Sequence, residues 1–196
     1  MAVRKVVTLL SGGVDSMVLA DSLRRQQDVR QVFVFVDYGQ RAAQQEFRAA
    51  RYYARGKGGI RKVVIGMRGI RLTSQLTTGR PTDPAFLPGR NLLLLMAGAW
   101  KAAEERSDFI GIGLRDIAEF PDTSDGFVRA FSGIVYLAFG RAFNLIVPLL
   151  QMNKAEVVAL GREYGTPLAF SYSCYLGRKS PCGRCLGCRG RGGLGL

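Results

Sequence analysis

The segment LLSGGVDS, residues 9–16, joins two apolar stretches whose hydrophobic patterns differ. Residues 3–10 are rich in β-branched side chains, as in a strand that is buried on both faces. From Val14 to Arg25 the apolar positions recur at helical spacing. The pattern therefore predicts a strand, a glycine turn and a helix in direct succession, the unit from which parallel α/β sheets are built.

Similar units follow along the chain. The pattern predicts strands at 31–36, 61–66, 108–113 and 143–148, and helices at 42–54, 91–105, 125–137 and 153–164, with a long loop at 67–88. Asn153 and Glu156 form a capping-box pattern at the start of the last helix.

We predict a doubly wound, parallel, five-stranded Rossmann-like α/β sheet in residues 1–166. Residues 167–196 form a small cysteine-containing segment that is expected to pack on the same domain.

Composition narrows the chemistry. The chain has 196 residues, 28 Lys plus Arg against 15 Asp plus Glu, and no histidine. The excess of basic side chains favours an anionic partner. These side chains are spread along the sequence, however, so a solvated basic surface is an equally open interpretation. Because histidine is absent, any general acid or base must be a carboxylate, Lys, Tyr, Cys or the substrate itself. The apolar runs are too short to cross a membrane, so we predict a cytoplasmic protein.

The glycine turn is suited to binding phosphate. Gly12 and Gly13 allow successive N–H groups to face an anion, and Ser11 and Ser16 add hydroxyl groups. Asp15 would repel a bare phosphate unless Mg²⁺ or a nearby base lies between them. The lysine of a P-loop and the third glycine of a dinucleotide fingerprint are both missing. SGGxDS resembles the PP-loop of the N-type ATP pyrophosphatases, which transfer AMP and release pyrophosphate, although a purely structural glycine turn remains an alternative.

All four cysteines lie near the end of the sequence, in the pattern C-x₇-C-x₂-C-x₂-C. Two C-x₂-C steps suit tetrahedral binding by thiolates, and four protein ligands leave no open position on the metal. We therefore predict a structural Zn²⁺ site, with an iron–sulfur cluster as the competing interpretation. The four predicted ligands are Cys174, Cys182, Cys185 and Cys188.

The order of the motifs is more specific than any one of them. The motifs extend from about Lys5 to Arg189. In chain order they are SGGVDS, VDYGQR, FLPGRN, GIGLRD with FPD, VPL, NKAE, SYSCY and CGRCLGC. In this order they resemble the QueC family, the 7-cyano-7-deazaguanine synthases. The resemblance implies an ATP- and Mg²⁺-dependent reaction in which 7-carboxy-7-deazaguanine is adenylated, converted by ammonia to the amide, activated again and dehydrated to the nitrile. It also implies a homodimer without a stable nucleic-acid partner.

The resemblance further implies roles for single residues. ATP would be bound by Leu10, Ser11, Gly12, Gly13, Val14, Asp15, Ser16, Asp37, Tyr38 and Gln40, with Ser11, Asp15, Ser16 and Lys154 taking part in catalysis. The heterocycle would contact Arg90, Asn91, Asp116, Phe120 and Asp122, with the two aspartates on its guanidine-like edge. Structural alternatives stay open: Asp37 or Asn91 could cap a helix, and the two loop aspartates and Lys154 could be solvated.

Several positions depart from the family pattern, namely Ala42, Val147, Asn153, and Phe120 and Thr123 in FPDT, where the family reads nearer to YPDC. These changes leave the ATP and cysteine motifs intact but affect segments expected at the substrate pocket. A variant that stops at 7-amido-7-deazaguanine is therefore one alternative. The others are a PP-loop enzyme that modifies RNA, which the basic charge would suit, and a nucleotide-binding module without catalysis.

Overall fold

The fold is built on five parallel strands. The computed structural model describes residues 3–66, 69–70, 72–115, 117 and 120–195. The strands are β1 (Arg4–Leu9), β2 (Val29–Asp37), β3 (Ile60–Val64), β4 (Phe109–Gly111) and β5 (Asn144–Ile146). Their order in the sheet is β3-β2-β1-β4-β5, and each neighbouring pair is parallel. The predicted doubly wound sheet is confirmed.

Helices cover both faces of this sheet. They are α1 (Val14–Arg24), α2 (Ala43–Ala54), α3 (Gln75–Thr78), α4 (Arg90–Glu104), α5 (Asp125–Phe139), α6 (Lys154–Glu163) and α7 (Leu186–Gly192), with 3₁₀ turns at Pro121–Thr123 and Leu168–Phe170. Within the described ranges, no helix is both long and apolar enough to span a bilayer.

Alternation along the central strand divides the core into two layers. Val6 on β1 packs with α1 and α6 on one face, and its neighbour Val7 packs with α4 and α5 on the other. The outer part of the sheet, at β2, is covered by α2. From β1 the chain runs outward through β2 to β3, and it then crosses back through α4 to β4 on the other side of β1, so the strand order reverses between β1 and β4. In such sheets the ligand crevice lies at this switch point, beyond the carboxyl ends of the strands.

The predicted loop at 67–88 contains a short helix and an internal hydrogen-bond network. The Ser74 side chain caps α3, and the buried Gln75 donates from Nε2 to the carbonyl oxygens of Pro81 at 3.2 Å and Asp83 at 2.9 Å. The Gln75 Oε1 atom accepts a hydrogen bond from the backbone N–H of Leu186 at 3.3 Å. This loop is therefore joined directly to the cysteine-containing segment.

Candidate active site

A cavity of about 660 Å³ lies at the carboxyl edge of the sheet. The glycine turn between β1 and α1, residues 10–16 and called the phosphate turn below, forms its floor. Its walls come from the turn before α2, the start of α4, the segment after β4, Lys154 of α6 and the C-terminal segment. The volume falls in the range of roughly 300–1,000 Å³ that is typical of small-molecule sites. Six separate parts of the sequence thus meet around one space.

The phosphate turn is held by its own hydroxyl groups. Ser11 Oγ accepts from the N–H of Gly13 at 3.2 Å and donates to Ser16 Oγ at 3.1 Å, while Ser16 Oγ donates to the Gly13 carbonyl at 2.9 Å. Helix α1 begins at Val14, and within the described residues no side chain caps its N-terminus. The N–H groups of its first turn, at the positive end of the helix dipole, therefore face the cavity floor and suit an anion.

Gly12 occupies a position where a side chain does not fit. Its φ is +82°, and an added Cβ would collide with the Glu46 carbonyl oxygen and lie 2.8 Å from the Ala50 nitrogen. We expect Gly12→Ala to lower the free energy of unfolding by about 2–5 kcal/mol, because it adds left-handed strain to overpacking against α2. Denaturant unfolding measures this loss.

Gly13→Ala is the matched control for that measurement. Gly13 has an extended backbone with φ of −78°, and its nearest neighbour to an added Cβ is Ser11 Oγ at 3.3 Å. Its loss of stability should be much smaller. Equal unfolding free energies for the two variants would contradict the packing argument.

Asp15 lies between two basic groups. Lys154 Nζ is 2.6 Å from Asp15 Oδ1, and Arg115 Nε is 3.4 Å from Asp15 Oδ2. All three side chains line the cavity. The repulsion that Asp15 would exert on a phosphate is therefore offset by two positive charges at hydrogen-bonding or ion-pair distance.

The environment of Lys154 perturbs its titration. Burial lowers the pKa of Lys154 because it disfavours the charged ammonium, and the positive charges of Arg115 and Arg191 act in the same direction. The Asp15 carboxylate opposes this shift and raises the pKa, but burial prevails. A half-buried lysine beside a phosphate turn is typical of a group that binds developing negative charge.

The turn after β2 is an internal hydrogen-bond network with one face on the cavity. Gln40 donates from Nε2 to the Val36 carbonyl at 3.3 Å and to Glu46 Oε2 at 2.9 Å, and its Oε1 accepts from the N–H of Tyr38 at 3.0 Å. Tyr38 and Gln40 line the cavity, and both are buried. Asp37, in contrast, pairs with Lys62 at 2.7 Å and is not among the residues that line it.

The start of α4 is joined to the segment after β4. Asp122 Oδ2 accepts from the N–H of Asn91 at 3.0 Å, and Asn91 Nδ2 donates to the Asp122 carbonyl at 3.0 Å. Asp122 thus caps α4, whereas the sequence leaves capping open as an alternative role of Asn91. Asn91 and Arg90 line the cavity, whereas Asp122 is not among the lining residues. The role predicted for Asp122 on the heterocycle stays a prediction.

Two further predicted substrate residues have different outcomes. Phe120 lines the cavity and stacks on Phe86, with ring centroids 5.5 Å apart and an interplanar angle of 25°. Asp116 lies outside the described residues. The role predicted for each on the heterocycle stays a prediction.

The four cysteines form one compact cluster. Their Sγ atoms all lie within 4.8 Å of one another, and those of Cys182 and Cys188 are 3.8 Å apart. Backbone N–H groups of Cys182 and Cys185 donate to Cys174 Sγ at 3.4 Å and Cys182 Sγ at 3.3 Å. Such donors stabilise thiolates, the form that binds metal. The arrangement suits a bound metal ion.

The cluster also helps to close the cavity. The backbone N–H of Tyr172 donates to the Gly12 carbonyl at 2.9 Å, and Tyr172, Tyr175 and Gly187 line the cavity wall. Arg191 of α7 donates to the Ser171 carbonyl at 2.9 Å and also faces the cavity. The cysteine segment is therefore part of the same site as the phosphate turn.

Sequence reasoning missed three charged groups in the cavity, namely Glu46, Arg115 and Arg191. Arg115 follows β4 in the motif GIGLRD, so the rule that ligands bind beyond strand ends could have identified it. Glu46 shares α2 with Arg48 and Arg51, and Arg191 shares α7 with Arg189. Nothing in the local pattern distinguishes these two from solvated charges.

Comparisons with known proteins agree with this architecture. A family model described as queuosine biosynthesis protein QueC matches residues 5–193. Curated relatives named 7-cyano-7-deazaguanine synthase include one from Ectopseudomonas mendocina, 32% identical over 96% of this chain and 92% of its own, and one from Methanothermobacter thermautotrophicus, 28% identical over 95% and 92%.

A solved structure shares the fold. The U34-tRNA thiolase NcsA from Methanococcus maripaludis, described with its [4Fe-4S] cluster, has a TM-score of 0.57 and 20% sequence identity. The alignment covers 97% of this chain and 64% of that one. At this identity the likeness concerns the fold alone. The family match extends over nearly the whole sequence, and the chain belongs to the QueC family.

Proposed function

We propose that the protein is an ATP-dependent carbon–nitrogen ligase that converts 7-carboxy-7-deazaguanine and ammonia to 7-cyano-7-deazaguanine. The name of its curated relatives, 7-cyano-7-deazaguanine synthase, supports this product. The observation that carries the ATP chemistry is the meeting of the phosphate turn, Lys154 and Arg115 around one cavity. Leu9, Val34 and Ile112 add an apolar area on the same floor, which suits a flat adenine ring.

The proposed reaction uses two activations. A carboxylate oxygen of the substrate bonds to the α-phosphorus of ATP, and pyrophosphate leaves. Ammonia attacks the activated carbonyl carbon, AMP leaves with the oxygen, and the amide forms. The amide oxygen then bonds to the α-phosphorus of a second ATP, and a second pyrophosphate leaves. Loss of AMP with that oxygen, together with the two amide protons, leaves the nitrile.

The residues of the turn would bind and orient the phosphates. The N–H groups of the first turn of α1 and the hydroxyl groups of Ser11 and Ser16 are donors for the pyrophosphate part. Lys154 and Arg115 would offset the negative charge that grows as pyrophosphate leaves. Asp15 and the two serine hydroxyls are oxygen donors that suit Mg²⁺, which when bound would neutralise phosphate charge.

We also propose that the four cysteines hold Zn²⁺. Tetrahedral Zn–S bonds of about 2.3 Å place two sulfurs about 3.8 Å apart, and Cys182 and Cys188 have this spacing. An iron–sulfur cluster distributes its thiolates over several irons, which separates the sulfurs further than one shared ion does. The compactness of the group, within 4.8 Å, supports a single ion.

A product assay tests the proposed function. Purified protein is incubated with 7-carboxy-7-deazaguanine, ammonium, Mg²⁺ and ATP, and the base and nucleotides are followed by mass spectrometry. We expect the nitrile together with about two AMP per base, as the two activations require. Accumulation of the amide with one AMP would identify the truncated reaction. Unchanged base, with AMP formed only when tRNA is added, would refute the proposal in favour of an RNA-modifying enzyme.

A further inference from the structure

Glu46 is a carboxylate on the cavity wall that the proposed chemistry does not use. It lies on α2, the helix whose backbone packs on Gly12 of the phosphate turn, and its side chain lines the cavity. Its Oε2 accepts a hydrogen bond from Gln40 Nε2 at 2.9 Å. Among the described residues, no basic group lies within ion-pair distance of it. It therefore differs from Asp15, whose two oxygens already face Lys154 and Arg115.

Gln40 holds this carboxylate in one orientation. The Gln40 amide oxygen accepts from the N–H of Tyr38, so its NH₂ group must point toward the Val36 carbonyl and Glu46. The Gln40 amide is thus fully engaged within the protein, and its contact with Glu46 fixes one carboxylate oxygen. The other oxygen, Oε1, has no donor within the described part of the chain, so it is available to a ligand in the cavity.

The surroundings favour a ligand that donates hydrogen bonds. Burial raises the pKa of Glu46, while the Gln40 hydrogen bond and the positive charge of Arg90 oppose the shift and Asp37 adds to it. A partly desolvated carboxylate recovers stability from each N–H donor that reaches it. The basic groups that line the cavity, Arg90, Arg115, Lys154 and Arg191, select for anions, and Asp15 is already paired with two of them. Glu46, in contrast, favours a hydrogen-bond donor at one position of the cavity wall.

We propose that Glu46 recognises the amino group and ring N–H of the deazaguanine, the donor edge of a guanine-type base. The inference rests on the proposed function and extends it to the choice of base. A guanine-type edge presents adjacent N–H donors, which match a carboxylate that can only accept. An adenine edge places an acceptor nitrogen beside its amine and is mismatched. Asp122, for which the family resemblance predicts this contact, accepts a hydrogen bond from the Asn91 N–H through one carboxylate oxygen and is not among the residues that line the cavity.

The test compares two ligands and three proteins by calorimetry. The ligands are 7-carboxy-7-deazaguanine and its analogue without the 2-amino group, 7-carboxy-7-deazahypoxanthine. The proteins are the wild type, Glu46→Gln and the matched control Glu163→Gln, which makes the same change at an exposed site at the end of α6. Affinity for a non-hydrolysable ATP analogue is measured in parallel, and the thermal midpoint of each protein reports on folding.

We expect Glu46→Gln to weaken binding of 7-carboxy-7-deazaguanine about 10- to 100-fold, as the loss of a charge-assisted hydrogen bond predicts. Binding of the desamino analogue should change much less, and the affinity for the ATP analogue should stay within about twofold. The control variant should bind all three ligands as the wild type does. The wild-type protein should bind 7-carboxy-7-deazaguanine about tenfold or more tightly than the desamino analogue. This comparison tests the inference even if Glu46→Gln fails to fold.

Different outcomes separate the inference from the proposed function. Equal weakening of both bases, a specific loss of ATP affinity, or a higher KM for ammonium with unchanged base affinity would each overturn the role of Glu46 while the reaction stands. A wild type that binds 7-carboxy-7-deazaguanine without preferring it over the analogue would also overturn that role. A wild type that neither binds nor converts 7-carboxy-7-deazaguanine would refute the proposed function itself.

Discussion

Replacing Lys154 with methionine should lower kcat/KM about 100- to 1,000-fold, the usual cost of removing one group that stabilises charge in a transition state. The ammonium is 2.6 Å from Asp15 and faces the phosphate turn. Without it, Asp15 retains its negative charge beside Arg115 alone, and a phosphate entering the turn meets greater repulsion. Initial rates of AMP formation, measured over a range of ATP concentrations, give the two kinetic constants.

The pH profile distinguishes a charge effect from a loss of packing. The protonated amine is the active form, so activity should fall as pH rises through the pKa of Lys154. Burial lowers that pKa from the ordinary value of 10.5, so the alkaline limb should lie below this value. Lys154→Arg should retain part of the activity and move the limb upward, because arginine does not deprotonate in this range.

Lys101→Met is the matched control for this series. Lys101 lies on α4, pairs with Glu104 at 2.7 Å and is not among the residues that line the cavity. Its activity should equal that of the wild type. A Lys154→Met variant with wild-type kinetics, or an alkaline limb that does not respond to Lys154→Arg, would contradict the role assigned to this ammonium.

Replacing Cys185 with serine should remove the metal and loosen the C-terminal segment. Cys185 is buried, and with three thiolates left the closed tetrahedral shell is incomplete. Metal binding contributes directly to folding free energy at such sites. We expect bound zinc to fall from about one per chain to near zero and the thermal midpoint to drop by about 10 °C or more.

Metal analysis and calorimetry of the unfolding transition measure both quantities. Ser180→Ala, a change at an exposed position of the same loop, is the control and should retain the metal. Chelation of the wild type should reproduce the variant, and added zinc should reverse the chelation. A Cys185→Ser protein with full zinc content would contradict the site. Iron with visible absorbance in the wild type would contradict the choice of metal.

The parts that were predictable from sequence are those that local patterns determine. The strand, turn and helix around residues 9–16 follow from adjacent residues, and the capping box between Asn153 and Glu156 is confirmed by reciprocal hydrogen bonds of 3.0 and 2.7 Å. The spacing of the cysteines likewise predicts their cluster. In each case the residues that interact are close in sequence, so the pattern contains the contact.

Contacts between distant residues were not predictable in this way. Arg115 and Asp15 are 100 positions apart in the sequence and meet only because β1 and β4 are neighbours in the sheet. The hydrogen bond from the Asn91 N–H to Asp122 depends on how the start of α4 meets the segment after β4. Helix α3 has four residues, too few for a periodic signal. Helix α7, LGCRGRG, is poor in helix formers, and its position is set by the cysteine cluster that it helps to build.

The hydrogen bond from Tyr172 to the Gly12 carbonyl has a consequence for biosynthesis. Synthesis on the ribosome completes the phosphate turn early, but the wall that closes over it comes from residues translated much later. Contacts of such wide sequence separation form slowly and late in folding. A nascent chain that has emerged only through α6 therefore carries a phosphate-binding turn with no cysteine wall, and a closed ATP site can form only after the last cysteine has left the ribosome.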